Sequence, residues 1–191
     1  MSASESATAD ETPKRPLNDP GVFIAFAVVG IGAVVVLLVS MSRPLPVPAI
    51  ISQDYTRVAG HVIASETSDN APHAIEAALA ARQPALGARV PDLTALGYVP
   101  YGGAVHAVEG RAGILVMFHN ALEDLVVWQS YQGDVSELPA TTDIRVEQGR
   151  RYFVHRKSAF ILVFWQDGPR VQVITGSLPA EQVVHLAFAA G

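Results

Sequence analysis

Apolar and polar positions divide the chain into four zones. Residues 1–20 are polar, rich in Ser, Thr, Ala and acidic side chains, without an aromatic. Gly21–Met41 (GVFIAFAVVGIGAVVVLLVSM) carries no charge, and its one polar side chain is Ser40. Residues 42–57 begin SRPLPVP, where alternating prolines favour an extended path. Beyond them the period changes twice. Val58–Ser65 reads as a short strand. Ala71–Arg82 places Ile75 and Leu79 on one stripe at helical spacing, with Asn70 as a cap, Pro72 in the first turn and Pro84 as the stop. Glu76 and Arg82 are expected to point away from that stripe. Val90–Leu96 reads as a short helical turn closed by Gly97.

From Tyr98 onward the pattern is that of strands between short turns. Tyr98–Tyr101, a bend or close backbone approach at Gly102-Gly103, Ala104–Val108, Gly113–His119 and Leu125–Gln132 come first. A weak Ile144–Val146 follows, then Arg151–His155, Ser158–Gln166 and Arg170–Thr175, the last two joined at Asp167-Gly168. Runs such as ILVMF and FILVFW predict strands buried on both faces. Pro179–Ala190, capped by Ser177, closes the chain as an amphipathic helix. The expected fold class is α+β, with an antiparallel sheet of about five or six strands packed with two or three helices.

The uncharged run sets the layout. As a helix it is about 30 Å long, the thickness of a bilayer core. A cleaved signal peptide is the competing reading, but the run is longer than an h-region, and SRPLPVP lacks an A-x-A site. Lys14 and Arg15 on one side, against Arg43 on the other, favour a cytoplasmic N-terminus. The expected organisation is a disordered tail over 1–20, a transmembrane helix over 21–41, a Pro-rich linker over 42–57 and an extracytoplasmic domain over 58–191. Gly30, Gly32 and Ala33 offer a small-residue face for a neighbouring helix.

Composition narrows the function. Cysteine is absent, which removes disulfides, thiolate zinc sites and a cysteine nucleophile. The net charge of −5 argues against a nucleic-acid partner. Six histidines (His61, His73, His106, His119, His155 and His185) form no H-E-x-x-H spacing. His61 with Glu66, and His119 with Glu123 or Asp124, are the pairs that could meet. No metal, cofactor or catalytic residue is assigned, and the chain is not expected to be an enzyme. Arg150, Arg151, Arg156 and Lys157 form a basic cluster that could face anionic headgroups or an acidic partner, or serve as a solvated strand edge.

One set of residues carries a family resemblance. His61, Glu66, Leu79 with Arg82, Gly87, Pro91-Asp92-Leu93, Gly97-Tyr98 and Gly102-Gly103 follow one another in this order, and Phe164–Ala187 repeats a late strand–turn–strand–helix. This arrangement resembles the extracytoplasmic domain of bacterial transmembrane anti-sigma factors. The resemblance implies an inner-membrane, single-pass regulator or sensor whose periplasmic domain binds other membrane or periplasmic proteins. The family's cytoplasmic zinc-binding module has no counterpart in residues 1–20, which contain neither His nor Cys, and Ala104 stands where the family commonly has Arg. A sigma factor is therefore a possible partner that the tail does not support. The alternative is an accessory subunit of an inner-membrane respiratory or photosynthetic complex.

Overall fold

The computed structural model describes residues 45–67, 70–87 and 89–191. The expected membrane helix and its Gly30, Gly32 and Ala33 face lie outside these residues, as does the tail. Among the described residues no helix is long and apolar enough to cross a membrane.

Among the described residues, seven antiparallel strands form one sheet. They are β1 (Val99–Val108), β2 (Arg111–His119), β3 (Leu125–Gln132), β4 (Ile144–Glu147), β5 (Arg150–Lys157), β6 (Phe160–Asp167) and β7 (Arg170–Gly176). The order across the sheet is β1-β2-β3-β7-β6-β5-β4. Two meanders, β1–β3 and β4–β7, therefore join through β3 and β7, and β4 is an edge. The α+β reading holds at this level, with one or two more strands than expected. Tyr98–Tyr101 and Ala104–Val108 are one strand, irregular between Pro100 and Gly102 rather than broken. The weak 144–146 segment is a true edge strand.

Turn chemistry explains the hairpins. Glu109 and Gly110 have φ of 52° and 75°, and Gln148 and Gly149 have 50° and 79°. Positive φ at both central residues gives the primed turns that match strand twist. The β6–β7 hairpin closes through Gly168-Pro169, with Asp167 opposite Arg170.

Among the described residues, three α-helices cover the two faces. α1 (Val47–Ala59) lies on one; α2 (Pro72–Arg82) and α3 (Ala180–Ala190) lie on the other. Alternation along the strands sorts the core accordingly. Ile114, Val116, Phe118, Trp128, Val163 and Ile174 pack with Ile75 and Leu79 of α2 and Val183 and Leu186 of α3. Leu162, Phe164 and Val173 pack beneath Val47 and Ile51 of α1. Leu115, Met117 and Val127 pack beneath Tyr55 and Val58.

α1 corrects the linker reading. Residues 47–57 are helical, not extended, and Val58 lies in the last turn of that helix rather than starting a strand. Pro48 falls in the first turn, where a missing N–H costs nothing. Val47, Ile51, Tyr55 and Val58 then form a helical stripe, all buried. The Tyr55 hydroxyl donates to the Leu125 carbonyl at 3.0 Å. Two expected caps also differ. Ala71, not Asn70, is the N-cap of α2, and Pro179, not Ser177, that of α3; neither makes a side-chain cap bond.

Candidate functional site

Each motif residue of the resemblance has a local structural task. Arg82 Nη1 donates to Glu66 Oε2, and the Glu66 N–H donates to the Gly103 carbonyl at 2.8 Å. The segment before α2 is thereby pinned to β1, where Thr67 and Gly103 form a single antiparallel bridge. Gly103 is closely approached: a Cβ there would lie 3.0 Å from Ile75 Cγ2 and from Leu79 Cδ1. Gly97, at φ 81°, closes the 3-10 turn Thr94–Leu96. His61 is exposed, at φ 56°, and among the described residues Glu66 forms its ion pair with Arg82 instead. His119 stacks on Tyr101, with ring centroids 5.1 Å apart, while Asp124 is bonded by Asn120. Among the described residues no three His, Asp or Glu groups gather as a metal site.

A groove of about 700 Å3 opens on the sheet face covered by α2 and α3. Its volume lies within the range of about 300–1,000 Å3 typical of ligand pockets. The floor comes from three strands: Trp128 of β3, Trp165 of β6 and Gln172 of β7. Trp165 and Ser130 flank Gln172 in register, one on each neighbouring strand. One wall is His73 and Glu76 of α2 with Arg89 and Asp92 from the segment that follows it. The other is Arg150, Asp167 and the end of α3.

The polar groups of the groove differ in how they are occupied. Glu76, expected to point away, instead turns in and accepts the Val90 N–H at 3.0 Å. Asp92 accepts the N–H and hydroxyl of Thr94 at 3.0 and 2.6 Å, which hold its carboxyl below the ordinary carboxylate range. Gln172 Nε2 reaches Asp167 Oδ2 at 3.5 Å. By contrast Gln172 Oε1 is buried without a partner, as is the Ser130 hydroxyl opposite it. Among the described residues neither Arg89 nor Arg150 pairs with an acidic side chain. The walls thus present two uncommitted guanidiniums above a floor with unmet acceptors.

The predicted basic cluster is divided. Arg150 lines the groove, whereas the Arg151 guanidinium lies over the Phe153 ring, 5.4 Å from its centroid, on the other face. Arg156 Nη2 approaches Asp143 at 3.9 Å, about 20 Å along β5 from Arg150. Lys157 is exposed at the far end of β5. Strand alternation puts Arg150 and Arg156 on one face and Arg151 and Lys157 on the other, and the length of β5 separates the members of each pair.

A second polar constellation escapes the sequence reading. His106 Nε2 of β1 lies 2.9 Å from Asp54 Oδ2 of α1, and Arg57 Nη1 lies 3.7 Å from Asp54 Oδ1. Asp54 is only 3% exposed. The pair clasps α1 to the sheet, and the nearby Ser52 hydroxyl is committed to the Pro48 carbonyl at 2.6 Å. No family model, curated protein or solved structure matches the chain, so the groove is read from its own geometry.

Proposed function

We propose that this chain is a single-pass bacterial inner-membrane protein whose periplasmic domain binds another protein, as a regulator or sensor resembling the outer part of an anti-sigma factor. The membrane anchor in this reading is Gly21–Met41, with the N-terminus cytoplasmic. One observation carries the binding assignment: a groove of about 700 Å3 whose floor holds an unpartnered buried amide oxygen and whose walls hold Arg89 and Arg150. Polar groups left unmet at the base of a concave site are costly for a structural wall and useful for a ligand. The anti-sigma likeness supplies the regulatory part of the proposal.

Affinity purification of the tagged full-length chain from solubilised membranes tests it. The reading expects a co-purifying protein that is lost when Arg89 and Arg150 are both changed to Glu. Partner recovery unaffected by that double change would refute the groove as the contact surface. Stoichiometric recovery of several integral membrane subunits would favour the accessory-subunit alternative over a regulator.

A further inference from the structure

Charge and hydrogen-bond demand together select a ligand for the groove. Arg89 and Arg150 can each take a carboxylate, and the planar guanidinium does so with two parallel hydrogen bonds. Gln172 Oε1, 3% exposed as a residue and unpartnered, needs an N–H or O–H donor from above. Glu76, Asp92 and Asp167 also line the hollow. Three fixed carboxylates repel a dense polyanion such as a phosphate chain. They tolerate single carboxylates held at spaced positions near the arginines. Trp128 and Trp165, each 1% exposed, form the base of the floor beneath these polar points. A polypeptide satisfies all of this: its main-chain N–H groups meet the glutamine, and its acidic side chains meet the arginines.

We propose that the groove binds a short extended peptide segment bearing Asp or Glu side chains. The proposal rests on reading the groove as the partner surface. It goes further by naming what the partner presents there: an acidic, main-chain-accessible stretch such as a loop or terminus, not a folded basic face or a phosphate group.

The groove brings its own reporter. Trp128 and Trp165 are the chain's two tryptophans, and both line it. Intrinsic fluorescence of the full-length chain in mild non-ionic detergent therefore reads occupancy directly. The probe is acetyl-Ala-Glu-Ala-Glu-Ala-amide, which has no aromatic group. The expected result is a saturable emission change with half-saturation at about 1 mM or below. Arg89→Ala and Arg150→Ala should each weaken it about tenfold, while Lys157→Ala, at the far end of β5, leaves it unchanged. The Lys-for-Glu peptide and inorganic phosphate should give no saturable change. No change with the Glu peptide, or equal binding by the Lys peptide or phosphate, overturns the inference. If that happens while co-purification still depends on the two arginines, the acidic-peptide assignment falls and the partner-surface reading survives. If both fail, both fall. Unfolding midpoints of the variants are measured alongside, and Arg89→Gln, a milder change at an exposed site, replaces any variant that does not fold.

Discussion

His106 illustrates how a single side chain decides what a buried charge costs. Asp54 is held beneath α1 by His106 at 2.9 Å and more loosely by Arg57 at 3.7 Å. Replacing His106 by Ala removes the close partner and leaves a buried carboxylate underpaired. The expected loss is about 2 kcal/mol, read as a lower denaturant midpoint of the full-length chain; an unchanged midpoint would show that the clasp is idle. His155 presents the opposite case. Its Nε2 is buried without a partner and its ring meets Phe164 edge-on at 5.4 Å. Burial lowers its pKa below the ordinary 6.5. The unfolded chain therefore takes up this proton first as pH falls. Stability from this group is present above about pH 6.5 and is lost as pH drops toward the lowered folded value. His155→Phe should flatten that part of the stability profile between about pH 7 and 5, and an unaltered profile would contradict the assignment. Neither residue announced its role in the chain. His106 alternates with apolar neighbours as any strand residue does, and its partner lies on a helix that the prolines disguised. Gln172 gave a fainter signal: an amide between Val171 and Val173, within a run buried on both faces, is a polar group that must be satisfied by something.

At the scale of elements, the legible parts were those with one dominant period. Leu125–Gln132 has the bounds expected from alternation, and α2 and α3 differ from expectation by about one residue at the start. α1 is disguised in the sequence because Pro44, Pro46 and Pro48 suggest an extended spacer. Proline in a first turn is compatible with a helix, and the Val47, Ile51, Tyr55, Val58 stripe was present all along. That stripe makes a sharp prediction. Ile51 is fully buried, so Ile51→Ala should cost about 2–4 kcal/mol, whereas a mere linker would tolerate it without a measurable change. Gly103 tests the packing of α2. A methyl there meets Ile75, Leu79 and the Leu115 carbonyl at 3.0–3.1 Å, and Gly103→Ala should destabilise by about 1–3 kcal/mol in the same denaturation assay. The glycine pair was visible in the sequence as a bend or a close approach. The structure selects the close approach, because the strand runs on through both residues.

For the whole molecule, a sheet buried on both faces explains why the groove is where it is. α1 and its stripe cover one face, with Leu162, Phe164 and Val173 packed under Val47 and Ile51. Two helices on the other face leave a gap between the start of α2 and the end of α3, floored by Trp128, Trp165 and Gln172. Sequence periodicity revealed the helices and strands but not this gap. A groove belongs to the distance between elements far apart in the chain, which no local pattern encodes. For the same reason the basic cluster read as one patch in sequence and is split by the pleat in space. The membrane anchor is a separate proposition with its own check: the chain should stay with membranes after alkaline carbonate extraction, and a periplasm-dependent reporter fused after Gly191 should be active. The partner surface is tested most directly by a photo-crosslinking residue placed at His73, on the groove wall, and in a second strain at Lys157, away from it. In living cells the account predicts one discrete crosslinked protein from position 73 and none from position 157. Equal crosslinking from both positions, or capture from 157 alone, would contradict it.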